Sequence, residues 1–561
     1  MKWFGGCAPG GRTIIPAGAR LIWNDPPLWT VGAWPESTVR TAGNEEGRLA
    51  VFGWCSADEA ALLRALTCPD LSAFGHVWAG SFTVVRARTA DTVEVITDGG
   101  GACPVYTVPM VDGVVWGSSS RAIASLKGGR VNTDWLASYL FEAQQQAAGQ
   151  SAWVGVDLVP AGHRLVMKGN QARTSAWWTV GHRPYDEAAS LVRDALTEGV
   201  RARAAGVATS CDVAGMDSST LALFASRVGP VTGMTVHPAE SPGGSDVANA
   251  RALAEALPGL RHILFPLDER HLPFGTAEAE LPATDEPAPS SVTWSRLSAQ
   301  LRHLVRLGID SHLTGDGGDT LFRPPPAHLS DLVRARRWGR LLVDAQSWAL
   351  ARRVSPWHLV RAAIRHDRYA LAGGGGSCPP WMTVRVSGEL AENGALGAAD
   401  AALLGEMRYV ARSAHTERQL AEALGIELHN PYLDGRVLDA VVSVPPWQRC
   451  STTRYKPLLV DAVGSLLPPK VRDRSTKGVF VGEFHRGLRA NLARTLELAD
   501  GRLAALGLVA PSPLRTAIHT ASLGAETAWP ALLPTLNAEL WLAAVERTPA
   551  PVWHDRAEFA A

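Results

Sequence analysis

Three short stretches carry residue types and spacings suited to phosphate chemistry. The first is CDVAGMDSST, residues 211–220, where small residues, Asp217 and a run of hydroxyls follow directly on an apolar segment. GVATS ahead of it reads as a strand, and Leu221, Phe224 and Val228 behind it fall on one helical face. A strand, a small-residue turn and a helix N-terminus together present unpaired N–H groups where the helix dipole is positive, which suits a phosphate or pyrophosphate. On that reading Val213, Ala214, Gly215, Ser218 and Ser219 form a cradle, Thr220 adds a hydroxyl, and Asp217 holds a Mg²⁺ riding on the phosphates. The same letters also make an ordinary helix cap, with Asp217 or Ser218 as the capping residue. The stretch by itself leaves both open. No Gly-Lys dipeptide occurs anywhere in the chain, so the Walker phosphate loop is excluded.

The second stretch, LTGDGGDTLF at 313–322, sets Asp316 and Asp319 three apart in a glycine-rich turn after an apolar strand end. Gly315 and its neighbours let backbone approach a ligand closely, and Asp319 is placed to be the second carboxylate of a Mg²⁺–ATP complex. A solvent-facing turn uses the same residues. The third runs from 427 to 482 and contains ELHNPYLDGRVLDAVV, then RYKPLLVDAV with Lys456 near a helix start, then a basic loop with Arg474 and Lys477. Only six of the 54 basic residues are Lys, and three of those fall between 456 and 477. A lysine kept where arginine is the habit suits a compact point charge, here one that neutralises the phosphate and acyl charge of an adenylation. A solvated basic loop is the plainer alternative.

Stepping outward, these turns need strands and helices to hold them. Residues 1–182 read as β-rich, with VWAGSFTVVRAR, TVEVITD, GGGACPVYTV and DGVVWGSS as strands and turns. From about Asp186 long amphipathic helices, EAASLVRDALTEGVRARA and DVANARALAEAL, alternate with short apolar strands such as VTGMTVH, which indicates a doubly wound parallel sheet. The boundary is expected near WWTVGHRPYD, giving domains of 1–182 and 183–561. Within the second, 324–400 reads as an irregular helical insertion with a mobile Gly-rich loop, from PPP at 324–326, GGGG at 373–376 and PPW at 379–381.

Composition bounds the function. At 561 residues the chain exceeds one core, and its 54 basic and 54 acidic side chains cancel, so no global field draws it to nucleic acid or an anionic membrane. No apolar run reaches the roughly 18 residues of a membrane span. The seven cysteines are scattered with no C-x-x-C, against both a disulfide framework and a zinc site, and a cytoplasmic location is the expectation.

Taken together, the three stretches resemble the synthetase domain of the asparagine synthetases and their relatives, the β-lactam synthetases and lasso-peptide macrolactam cyclases. The family's S-G-G-x-D-S loop corresponds to V-A-G-M-D-S at 213–218, its G-[ED]-G-x-D to residues 315–319, its P-[FY]-L-D to Pro431–Asp434, and its late Lys loop to RSTKG at 474–478. Asp98, Gly101, Pro104 and Tyr106 with VPAGHRL echo its N-terminal, glutaminase-like domain of the Ntn type. The pyrophosphate loop either has Val for Ser at its first position or is one Gly short. Family members that use glutamine need Cys as the mature first residue; here position 2 is Lys and the nearest thiol is Cys7.

The resemblance therefore implies an α/β protein with a degenerate amidotransferase-like half and an ATP- and Mg²⁺-dependent ligase half that releases AMP and pyrophosphate. Without its own ammonia source, intramolecular amide formation is favoured, and the expected reaction is lasso-type macrolactam closure. A side-chain carboxylate of a ribosomal core peptide is adenylated and joined to the peptide's N-terminal amine. Implied site residues are Val213, Ala214, Gly215, Asp217, Ser218, Ser219, Gly315 and Lys456 for ATP, Asp217 and Asp319 for the metal, and Lys477 and Asp316 for catalysis. A precursor peptide, a leader peptidase and a leader-binding protein are the implied partners. A small-molecule lactam or amide ligase, and a non-catalytic scaffold, are the alternatives.

Overall fold

The computed structural model describes residues 1–89, 91–144, 149–240, 243–276, 278–372, 378–384, 396–473 and 481–555. Two six-stranded sheets occupy the N-terminal part. One runs in the order Asp157–Val159, Val105–Met110, Gly113–Gly117, Trp3–Cys7, Pro27–Val31, Ala19–Asn24. The other runs Gln171–Ala176, His163–Lys168, Thr92–Ile96, Gly80–Thr89, Gly47–Cys55, Val39–Asn44. All their pairings are antiparallel. The strand carrying VVRAR is buried on both faces, Val85 and Ala87 on one side, Val84 on the other, with Arg86 buried too. Phe4, Phe52, Val85, Val95 and Trp116 pack between the two sheets, with Phe4 and Phe52 stacked at 4.1 Å.

After the long helix α1 (Tyr185–Ala204) the chain builds a five-stranded sheet. Its strands are β1 (Thr209–Asp212), β2 (Val231–Pro238), β3 (Leu260–Leu267), β4 (Ser311–Leu313) and β5 (Glu427–His429). The spatial order is β3-β2-β1-β4-β5 and every pairing is parallel. Parallel strands need crossovers, and the first two are α2 (Met216–Ser226) and α3 (Ser245–Ala256). The chain moves outward one way from β1 and the other way at β4. The crevice beyond the ends of β1 and β4 is thus the topological switch point, where open α/β sheets bind ligands.

After β4 come the single-turn α4 (Gly318–Phe322) and then α5 (His328–Arg334), α6 (Trp338–Arg352) and α7 (Pro356–Ile364). The insertion expected to be irregular is, over 328–372, a regular bundle closed by a short helix at Arg368–Ala372. Leu329, Leu332, Leu341, Ala345, Leu359 and Ala363 give it a core of its own. The proline and glycine signals mark its ends rather than its interior. GGGG at 373–376 lies outside the described residues, and Trp381 of PPW is buried, its Nε1 donating to Thr535 Oγ1 at 3.1 Å. The long α8 (Ala398–Glu422) leads into β5, and α9 (Pro457–Val463) and α10 (Trp529–Arg547) follow.

The largest core joins the two parts of the chain. Trp3, Trp29, Trp135 and Trp153 from the N-terminal sheets and their helices share it with Trp294, Leu536 and Trp541. Strand Trp553–Asp555 closes the arrangement by pairing with Ile14–Pro16. Ten of the 20 tryptophans are buried in cores. Among the described residues no helix is long and apolar enough to cross a membrane.

Candidate active site

The turn after β1 and the turn after β4 meet at the switch point. Gly215 caps α2, and a Cβ there would meet nothing within 4 Å, so the space before the helix N-terminus is open. Val213 is fixed from behind, its N–H donating to Met234 O at 2.9 Å. Ala214 N–H donates to Ser218 Oγ at 3.2 Å, which folds the loop over the first helical turn. Ser219 is almost wholly buried, and Thr220 donates to Met216 O at 2.9 Å, so those two hydroxyls are turned into the fold. The two glycine turns touch: a Cβ on Gly318 would stand 2.5 Å from Asp217 Cγ, and one on Gly315 would stand 3.0 Å from Ser218 N. That is the physical reason for glycine at both places.

Asp217 and Asp319, which lie 102 positions apart in the chain, are brought to one lysine. Lys456 Nζ pairs with Asp217 Oδ2 and lies 2.7 Å from Asp319 Oδ1. Its own backbone is left-handed, at φ 44°, immediately before Pro457 and the start of α9. A buried, non-glycine residue in that conformation is strained, and strain of this kind is held by the surrounding structure at functional sites. Burial alone would lower the Lys456 pKa; the charges of Asp217 and Asp319 outweigh it and raise it, so the ammonium is kept. Asp217 is mostly buried and Asp319 remains partly open to solvent.

The residues of HNPYLD support this centre from below. Tyr432 Oη donates to the Asp217 carbonyl at 3.0 Å. Asp434 is fully buried in a fork with Arg203 at 2.6 and 2.9 Å and accepts from Ser81 Oγ at 2.9 Å, tying the loop to α1 and to an N-terminal strand. Asn430 Nδ2 donates to Thr314 Oγ1 at 2.7 Å, and Thr314 Oγ1 donates in turn to Asp316 Oδ2 at 2.9 Å. Asp316 thus has its orientation fixed by two side chains.

Sequence reasoning missed Glu417, on α8. Burial pushes its carboxyl up to about 7, and the like charge of Asp316 adds to the rise, while Ser290 N–H donating to Oε1 at 2.7 Å works against it. No motif announces Glu417, because helix and turn are joined only through the fold. Asn430 was within reach of a sequence reading, since it directly precedes PYLD. Lys477 and Arg474 lie outside the described residues.

The donor set suits Mg²⁺. Among the described residues no group of three or more His, Cys, Asp or Glu is placed to hold a metal. Two convergent carboxylates are what a hard cation needs when polyphosphate oxygens and water complete its shell. With backbone N–H groups and a lysine beside them, the site fits a metal–nucleotide complex better than a free ion.

The N-terminal part presents a second lysine. Lys2 Nζ pairs with Glu427 Oε1, lies 3.8 Å from Glu422 Oε1, and sits 5.4 Å above the Trp34 ring. It lines a cavity of about 750 Å³, counted out to its mouth, with Trp54, Arg203, Arg418, His429 and Asn430 on the walls. Cys7 is buried with its thiol donating weakly to Ile14 O at 3.4 Å, and burial pushes its pKa up to about 12. A thiol so held is inert as a nucleophile at neutral pH.

Residues 191–543 match the family model for asparagine synthase, which is more than half of the chain. The chain belongs to the asparagine synthase family. Like other members, it is an ATP-dependent, AMP-forming carbon–nitrogen ligase, and the family uses ATP, usually with Mg²⁺. No curated protein matches it significantly. Two solved structures align at 11% identity. One is described as the allosteric regulatory enzyme of purine biosynthesis, covering 47% of this chain and 74% of that one with a TM-score of 0.22. The other is the glutamine phosphoribosylpyrophosphate amidotransferase of B. subtilis with ADP and GMP, covering 58% and 76% with a TM-score of 0.21. Similarity at that level assigns no function.

Proposed function

We infer that this asparagine synthase family member is a macrolactam synthetase acting on a ribosomal peptide. It activates a side-chain carboxylate as the adenylate and closes a ring onto the peptide's own N-terminal amine, as the lasso-peptide cyclases do. The observation that carries the reading is the convergence of the two ligase turns on Lys456, while Cys7, the thiol nearest in sequence to residue 1, is buried with its thiol held protonated. Glutamine-derived ammonia is then not the nitrogen source, and the amine arrives with the substrate. The N-terminal sheets, residues 1–182, are on this reading a degenerate amidotransferase-like domain, and 183–561 the synthetase domain.

In the first step a substrate carboxylate oxygen attacks the α-phosphorus and the bond to pyrophosphate breaks. Backbone N–H groups of the turn at 215–218 and Lys456 grip the leaving pyrophosphate, and Asp217 and Asp319 would hold a Mg²⁺, whose chemistry is to neutralise the phosphate charge. In the second step the amine nitrogen attacks the acyl carbon and the bond to AMP breaks. An α-amine with pKa near 8 is about a tenth neutral at pH 7, so a base gives modest help. Asp316 and Glu417 take that proton, and Lys477 stabilises charge in both steps. A precursor peptide is the substrate, with a leader peptidase and leader-binding protein as partners that expose its amine.

The test uses a leader-free peptide with a free N-terminal amine and an acidic residue several positions on, with ATP and Mg²⁺. Loss of one water, with one AMP and one pyrophosphate per ring, is expected, and acetylation of the amine abolishes ring formation. Dehydration of the acetylated peptide, ADP as product, or a requirement for glutamine overturns the reading.

A further inference from the structure

The chain as a whole is neutral, yet residues 334–368 carry nine arginines against two aspartates and no Lys or Glu, a net +7 in 35 residues. These residues are α6 and α7 with their flanking turns. One of the two aspartates is already spent, since buried Asp344 accepts from Arg340 Nε at 2.8 and 2.9 Å and from Thr452 and His328. Arg336, Arg353, Arg361 and Arg365 are exposed.

The same surface is apolar. α6 buries Leu341, Ala345 and Ala349 against the bundle core, and alongside that face it turns Trp338, Leu342 and Leu350 to solvent at 51%, 50% and 72% exposure. Trp338, Leu342, Gln346 and Leu350 recur every fourth residue, so they form one stripe along the helix, with Val343 beside it. α7 repeats the pattern with Trp357 and Ile364 at 62% and 50% exposure and Arg361 between them. An ordinary solvent face of a small bundle has no reason to expose two Trp and four large aliphatics, and a concentrated patch of that kind marks an interaction surface.

We propose that the outer face of α6 and α7 is a docking surface for an acidic peptide segment that carries apolar side chains. Charge decides the occupant. A +7 face on a chain whose remainder carries −7 selects an anionic partner and repels a second copy's like face. The arginine fork pairs bidentately with carboxylates, and Trp and Arg are the residues that concentrate binding energy at protein interfaces. The apolar stripe is narrow and bordered by arginines, the layout of an interface core with a polar rim rather than of a broad lipid-inserting face. This inference does not rest on the ring-closing reaction: the surface is read by binding alone, without nucleotide.

The experiment measures fluorescence anisotropy of a labelled peptide of Glu-Glu-Leu-Leu repeats, and of its Lys-for-Glu counterpart, on the full chain. The acidic peptide binds at least about tenfold more tightly than the basic one, and its affinity falls as salt rises. Replacing Arg336, Arg353, Arg361 and Arg365 by Glu removes that preference, and Leu342→Ser with Leu350→Ser weakens binding about tenfold by taking away the stripe. Both variants keep the wild-type melting temperature and ATP use, because every altered side chain is exposed. No binding of the acidic peptide, or equal binding by the arginine variant, overturns the proposal. So does tighter arginine-dependent binding of phosphatidylglycerol vesicles or of duplex DNA, which would give the face to a lipid surface or to nucleic acid.

Discussion

Among the described residues two lysines have similar surroundings, each clasped by two carboxylates, and only one of them stands at the topological switch point. Lys2 lies between Glu422 and Glu427 under the Trp34 ring, and Trp54 Nε1 takes the other oxygen of Glu427 at 2.9 Å. Lys456 lies between Asp217 and Asp319. Around Lys2 the neighbours are side chains, which wall a cavity and leave no bare helix N-terminus beside the ammonium. Around Lys456 they are glycine turns and the N-terminus of α2, with open space before Gly215 and Asp319 still reaching solvent. A cluster of charges is thus not a site by its letters. What makes the second cluster one is bare backbone at a switch point, where N–H groups remain to receive a ligand.

The sharpest way to break this comparison is to neutralise each lysine in turn. Lys456→Met should lower turnover by about 10³-fold or more and destabilise the fold by about 3–5 kcal/mol, because it strands buried Asp217 without its counter-charge. Lys2→Met should leave kcat within about twofold and cost only about 1–2 kcal/mol, since its partners keep other donors. Steady-state AMP release and chemical denaturation of the two variants decide; equal losses of activity would erase the distinction.

Next in size are the carboxylates. Asp217→Asn and Asp319→Asn should each reduce turnover by about 10²-fold and raise the Mg²⁺ concentration needed for half-maximal rate, because hard cations want charged oxygens. The corresponding changes on the other clasp, Glu422→Gln and Glu427→Gln, should leave that Mg²⁺ dependence unmoved. A Mg²⁺ titration of AMP release reads all four.

Glu417 gives a smaller effect with a distinctive pH signature. Its folded pKa of about 7 exceeds the ordinary 4.5, so the fold favours the protonated form. The associated stability is fully present below about pH 4.5 and is lost as pH rises through 7. Glu417→Gln should therefore melt higher than wild type at pH 8 and no higher at pH 4. As the ionised form is the one that accepts a proton, the same variant should lose about tenfold in turnover at pH 8 and flatten the rise of rate through pH 7. The smallest effect is expected at Cys7→Ala, with turnover unchanged and glutamine hydrolysed by neither protein, measured as glutamate released.

Much of the ligase centre was legible because its parts are local: a strand end, a glycine turn and a helix start lie within ten residues at 211–220 and again at 313–322. The alternation of helices and strands after Asp186 likewise announced the parallel sheet. What stayed hidden depends on distant partners. Asp434 read as a family signature and proves to be the buried partner of Arg203, 231 positions away. Glu417 gains its perturbed carboxyl only through packing near Asp316 and Ser290. The insertion was legible as helical, but Pro and Gly at its borders made it read as irregular, and Trp381, read as part of it, is core.

The strand at Trp553–Asp555, which pairs with Ile14–Pro16, has an evolutionary consequence. With Trp553 against both Trp3 and Trp29, and Trp541 against Trp153, the last helix and strand of the chain use the N-terminal sheets as part of their interior. A gene that lost the first 180 or so codons would expose that interior to water and leave the C-terminal residues with nothing to fold on. An N-terminal half can in this way be retained by inheritance whatever its own chemistry, because its removal would unfold the enzyme it adjoins.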